Sequence, residues 1–267
     1  MFPSFDAHFH LDPEGKGIEA VREFERAGGK GLMLVSKPYL REMRSREDAR
    51  TEYEILLALA KRAREETGVK VSAALGVHPV RISEFSDIKK GRDVMKEAID
   101  LAVEYIIDGK ACAIGEIGRP HYDVSDEVLE ASNDVIGYVF ERANEIGCAV
   151  IVHSESSERT YEELSVMAEK AGMDKGKVVK HFSPIVNETF GLTPSIIARY
   201  ENARRACDSM KDFMLESDYI DDLRRPGAVI GPKTLPKTVN RLLEEGYEDV
   251  LYRTMKDLPE RVFGIEI

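Results

Sequence analysis

A chain of 267 residues, 43% hydrophobic and 33% charged, carries enough apolar material to bury a substantial core. Its formal net charge of −11 excludes broad, non-specific coating of nucleic acid, which needs a basic surface, but leaves room for a small cleft acting on a phosphate ester. The opening MFPSFDAHFH lacks a targeting pattern, no stretch is apolar over the ~20 residues of a membrane span, and Cys112, Cys148 and Cys207 are too scattered for a disulfide framework; a cytoplasmic protein with no membrane partner is expected.

Short apolar runs at residues 4–10, 31–36, 69–77, 111–117, 148–153, 177–182 and 213–217 read as strands. Several are rich in Val, Ile and Leu without polar alternation, as in strands covered on both faces. Helical stretches separate them. Ile18, Val21 and Phe24 repeat at helical spacing, and Gly28-Gly29 ends that helix. Ile55, Leu56, Leu59 and Ala60 form a second apolar stripe, and Val94, Ala98, Leu101 and Tyr105 a third. An eighth strand is expected around residues 190–197, where Pro194 and the short spacing fit a strand least well. After Asp218 come a loop and two helices, near 236–246 and 249–256. Strand–helix alternation predicts α/β architecture with a parallel sheet. Eight strands would close a (β/α)8 TIM barrel, a fold of about 250 residues, with C-terminal helices and residues 1–267 in one domain.

There are six histidines, and five (His8, His10, His78, His153, His181) fall at or just past the C-terminal end of an expected strand, where parallel barrels collect their ligands. In Asp6-Ala-His8-Phe-His10, strand alternation projects residues 6, 8 and 10 the same way, so two imidazoles can grip one metal ion. The alternative is two hydrogen-bonded strand histidines, with Asp6 orienting a ring. Glu116, within Ala113-Ile-Gly-Glu-Ile-Gly118, is costly to bury unless paired, with Arg119 for instance, or metal-bound. Its two oxygens can bridge two ions about 3.5–4 Å apart. Gly115 and Gly118 allow a backbone or a substrate to come close. His153 and His181 each end a β-branched run. Asp218 ends the last strand and suits either an N-cap or a ligand that also takes a proton from a nucleophilic water.

The ordered set (HxH on strand one, Glu on strand four, His on strands five and six, Asp on strand eight), with Gly76-Val-His-Pro79 and Gly115-Glu-Ile-Gly118, resembles the TatD family of metal-dependent hydrolases, distorted TIM barrels of the amidohydrolase superfamily. The resemblance runs from Asp6 to Pro259–Gly264. It implies two divalent ions, with His8, His10, Glu116 and Asp218 around the first and Glu116, His153 and His181 around the second. It also implies phosphodiester hydrolysis of the deoxyribonuclease type, Asp218 accepting a proton and Glu116 bridging. The pattern departs where Leu-Asp usually follows GEIG: here stands Arg119-Pro-His-Tyr122. Glu155 replaces an arginine after the strand-five histidine, and strand eight reads Glu216-Ser-Asp218. The expected ligands survive while the residues around the substrate differ, which supports a hydrolase more than a deoxyribonuclease.

Arg119 is a candidate anchor for an anionic substrate, or a partner of Glu155; His78 is a candidate substrate contact or leaving-group donor; Lys37 suits a phosphate contact less well than a solvated loop. The nitrogen-rich donor set suits Zn, with Mn, Fe or Ni as alternatives, better than Mg or Ca. The expected substrate is a small molecule or a nucleic-acid end. The alternatives are cleavage of a carboxylic ester, lactone or amide with the same metals, and a catalytically silent binding barrel.

Overall fold

The computed structural model describes residues 2–226 and 228–267. Among these, eight strands run parallel in sequential order: β1 Phe5–Phe9, β2 Gly31–Val35, β3 Lys70–Leu75, β4 Ala113–Gly118, β5 Ala149–His153, β6 Val178–Lys180, β7 Thr193–Ile197 and β8 Met214–Glu216. Helices α1 Ile18–Arg26, α2 Arg46–Glu66, α3 Ile88–Ile107, α4 Asp126–Ile146, α5 Glu158–Lys170 and α6 Tyr200–Ser209 alternate with them. The barrel closes where β8 meets β1: Asp218 N donates to His8 O (3.0 Å) and His10 N to Tyr219 O (3.0 Å). The closing seam therefore lies at the histidine pair itself.

The expected apolar stripes face inward. Ile18, Val21 and Phe24 of α1, Leu56, Leu59 and Ala60 of α2, and Val94, Ala98, Leu101 and Tyr105 of α3 are buried, while Ile55 is half-buried. Ser45, Asp87, Ser125 and Ser157 cap α2 to α5 through their side chains. Between β6 and β7 there is a loop where the pattern would place a helix, which is why strand seven reads poorly in the sequence. Pro194 nonetheless sits inside β7, paired with Lys180 of the three-residue β6.

After β8, α7 Thr234–Glu244 and α8 Glu248–Tyr252 continue through a π-helical turn, Arg253–Asp257, into α9 Leu258–Phe263. The barrel interior is filled by Phe5, Ala7, Met33, Val35, Ala74, Ala113, Ala149, Ile151, Val179 and Met214. Leu258, Val262 and Phe263 of α9 join that cluster and plug the N-terminal end. The opposite end is left for the site. No helix among the described residues is long and apolar enough to cross a membrane.

Candidate metal centre

Two irregularities in the barrel aim the key side chains. The β1–β2 pairing shifts between Asp6 and Phe9. Phe5 and Ala7 fill the interior, whereas Phe9 packs outward on Phe24 and Tyr219. The uniform projection expected for residues 6, 8 and 10 is thus broken, as β-bulges do. Asp6 orients no ring; its Oδ1 accepts the backbone N–H groups of His8 (3.2 Å) and Ser217 (2.9 Å), clamping β1 to β8. The β4–β5 pairing shifts between Ile114 and Ile117, both of which pack outward, and Glu116 turns into the barrel mouth. The Gly115–Glu116 peptide is cis. Both glycines of this motif serve close packing against β5 and not a substrate. A Cβ on Gly118, at φ 143°, would lie 1.8 Å from His153 O, and one on Gly115 would lie 2.7 Å from Ile151 Cβ.

The structure brings His8, His10, Glu116, His153, His181 and Asp218 together at the C-terminal end of the barrel. Glu116 divides them. On its Oε1 side, His8 Nε2 and His10 Nε2 lie 3.1 Å apart, 3.9 and 3.6 Å from Oε1, and 3.9 and 3.6 Å from Asp218 Oδ1. On its Oε2 side, His153 Nδ1 and His181 Nε2 lie 3.2 Å apart, at 3.0 and 3.5 Å from Oε2. Ligands about 2.0–2.2 Å from a tetrahedral ion are separated by about 3.3–3.6 Å, so both groups have the dimensions of a coordination shell.

Hydrogen bonds on the outer ring atoms assign the inner ones. His10 Nδ1 donates to Val35 O (2.9 Å) and His181 Nδ1 to Glu216 Oε1 (3.1 Å), leaving an inward lone pair on each Nε2. Potential ligand atoms also gather within 4.8 Å in two further trios, His8–His181–Glu216 and His78–Glu116–His153. Hydrogen bonding argues against both as sites. Both Glu216 oxygens are occupied: Oε1 also accepts Phe182 N–H (2.7 Å), and Oε2 accepts the Ser195 hydroxyl (2.5 Å). His78 Nδ1 accepts Val80 N–H (3.1 Å), so its proton sits on Nε2, 3.8 Å from Glu116 Oε1. Burial pushes His78 down to about 4, which keeps the ring neutral.

The cluster favours positive charge at its centre. Burial works to lower His8, yet Glu116, Glu216 and Asp218 outweigh it and push the ring up to about 9. Burial works to raise Glu116, yet His78, His153 and His8 hold it well below the usual carboxylate range. Burial, with His8 beside it, holds His181 well below its ordinary value, and burial raises Glu216. His8 Nδ1 is buried without a hydrogen-bond partner among the described residues. A nitrogen- and carboxylate-rich pocket of this kind fits a divalent cation.

A cavity of about 1280 Å³ opens over the cluster. His78 lines it, as a substrate contact would. Arg119 does not, so of its two readings, substrate anchor and partner of a nearby acid, the structure favours the second. Its side chain is buried, with Nε donating to Asn133 Oδ1 (2.6 Å) and Nη1 to Glu163 Oε2 (2.7 Å), and Nη1 lies 3.8 Å from Oε2 of the cavity-lining Glu155. Lys37 lines the cavity but is paired with Asp12 at 2.6 Å. Among the described lining residues, carboxylates outnumber the full cations Lys37, Arg224 and Arg225, and both arginines pair with Asp222. Two residues near the cluster carried no role in the sequence reading. Glu216 stands two positions before Asp218, a spacing that hinted at it; His121, 2.8 Å from His153 Nε2, lies in the Arg119–Tyr122 departure and no spacing marks it.

A parallel eight-stranded barrel that gathers histidines and carboxylates at its C-terminal mouth has the build of a metal-dependent hydrolase. The family described as TatD related DNase matches residues 5–264, and the chain belongs to it. An uncharacterized protein of Methanocaldococcus jannaschii is 35% identical, over 99% of this chain and 97% of its own length. The barrel superposes on a TatD homolog of Escherichia coli K12 with a TM-score of 0.70 at 20% identity, covering 98% of each chain. It also superposes on a mutant PTE-like lactonase of Deinococcus radiodurans with a TM-score of 0.66 at 12% identity, covering 98% of this chain and 95% of that one.

Proposed function

We propose that the chain is a two-metal hydrolase of phosphodiesters, acting on a nucleic-acid end or a nucleotide-like compound. The observation that carries the two-metal reading is the placement of Glu116, whose oxygens face two different sets of ring nitrogens. His8, His10, Glu116 and Asp218 would hold one ion, and Glu116, His153 and His181 the other. Ions held there would supply Lewis acidity, toward a bound water and toward the oxygen under attack. Zinc is the default choice for this donor set, with Mn, Fe or Ni as alternatives.

Asp218 is the general base. Its backbone is left-handed (φ 44°) and tied to His8 O, which holds the carboxylate at the mouth. Among the described residues no group hydrogen-bonds that carboxylate, so it is free to accept a proton. His78 presents a neutral N–H beside Glu116 Oε1, suited to the charge that builds on the substrate.

The family description supports phosphodiester chemistry. The carboxylate-rich cavity and an Arg119 already paired with Glu163 favour a second reading, cleavage of a carboxylic ester, lactone or amide by the same residues. An assay of zinc- or manganese-loaded protein on bis(p-nitrophenyl) phosphate, DNA ends, lactones and amides separates them. Phosphodiester turnover that falls about 10²–10⁴-fold in Asp218→Asn supports the first reading. Turnover confined to lactones or amides selects the second. No turnover of any substrate by metal-loaded protein leaves a silent barrel.

A further inference from the structure

We infer that His121 is a positioning residue that sets the ring of His153 for cation binding. The role rests on the two-metal reading above. His153 differs from the other cluster histidines in the atom it turns inward. His8, His10 and His181 offer Nε2; His153 offers Nδ1, 3.0 Å from Glu116 Oε2 and 3.2 Å from His181 Nε2. A neutral ring that binds through Nδ1 carries its proton on Nε2, and that N–H needs an acceptor. For His10 and His181 the matching N–H goes to an acceptor built into the barrel, Val35 O or Glu216 Oε1. For His153 it goes to His121 Nδ1 at 2.8 Å.

The loop that carries His121 is held for this purpose. Arg119 N donates to His153 O (2.9 Å), and the Arg119 guanidinium is fastened to Asn133 of α4 and Glu163 of α5. Pro120 then fixes the backbone φ just before His121. The sequence left Arg119 as a contact to substrate or a partner of a nearby acid. The geometry makes it the anchor of the loop that places an imidazole against His153. His121 itself is exposed at the cavity mouth, so replacing it disturbs neither core nor barrel.

The test is a zinc titration against a competing chelator, on metal-stripped wild type, His121→Ala, His121→Asn and His153→Ala. Wild type takes two ions, and His153→Ala identifies the one held on the Oε2 side of Glu116. His121→Ala weakens that ion by about 10–100-fold, the usual cost of losing the hydrogen-bond partner of a ligating histidine, and leaves the other unchanged. His121→Asn, whose side-chain oxygen can accept the N–H, recovers most of the loss, and the metal-free variants melt with wild type. Equal affinity of both ions in wild type and His121→Ala overturns the role while leaving the two-metal reading intact. A third ion in wild type that vanishes in His121→Ala overturns it too, by making His121 a ligand. Failure of wild type to take up zinc ends the two-metal reading and this role with it.

Discussion

Replacing Glu216 by alanine removes a fully buried carboxylate that accepts from three groups: Phe182 N–H at 2.7 Å, His181 Nδ1–H at 3.1 Å and the Ser195 hydroxyl at 2.5 Å. A buried donor left without a partner costs about 1–3 kcal/mol. Removing the carboxylate also relieves the burial that raises its own pKa, an offset in the other direction. The net expectation for Glu216→Ala is a loss of about 2–4 kcal/mol. At about 2–4 °C per kcal/mol for a chain of this size, the metal-free protein should melt about 4–16 °C lower. The His181 ring, no longer held, should bind its ion about 10–100-fold more weakly. Glu216→Gln keeps an oxygen for Phe182 and His181, and its amide can donate to Ser195; it should stay within about 1 kcal/mol of wild type. Calorimetry and zinc titration of the three proteins read both effects. If Glu216→Ala melts with wild type and binds zinc as tightly, Glu216 does not position His181 and the reasoning fails.

Arg81→Ala should destabilise by about 3–5 kcal/mol in denaturant unfolding, because Glu52 would be left buried without the guanidinium that joins it to Glu84 and Leu40 O. Phe263→Ala should cost about 3–5 kcal/mol by opening the plug at the N-terminal end, with zinc stoichiometry by elemental analysis unchanged. Burial pushes Cys112, Cys148 and Cys207 up to about 12, 11 and 12. The fold therefore favours the neutral thiols, a contribution fully present at neutral pH and lost progressively as pH rises from about 9, where the unfolded thiols ionise, to 11–12. Ellman's reagent at pH 8 should leave native protein almost unlabelled and titrate all three thiols in denaturant.

What the sequence made legible follows from periodicity. Seven strands, the helical stripes and the C-terminal positions of the site histidines all appear in it, because burial on both faces writes long apolar runs and a parallel barrel exposes its strand ends at one mouth. Strand seven was harder to see, since Pro194 lies within it and no helix precedes it. The side-chain directions on β1 and β4 were not legible either. Shifts of register after Asp6 and after Ile114 alter the alternation there, and such shifts depend on the neighbouring strand. For Arg119 the sequence left two readings open, a substrate anchor and a partner of Glu155 or another acid; residue type suits both, and the choice falls to Asn133 and Glu163, which claim the guanidinium from helices distant in sequence. Glu216 and His121 matter through what they hold; the spacing to Asp218 hints at Glu216, while nothing in the spacing marks His121.

The most direct test of the central claim is the metal content of purified protein equilibrated with zinc and then desalted, beside Glu116→Ala. Because each oxygen of Glu116 faces a different set of nitrogens, wild type should hold about two ions per chain and Glu116→Ala should lose both together. Retention of two ions by Glu116→Ala, or no ion in wild type, would contradict a centre organised around that carboxylate.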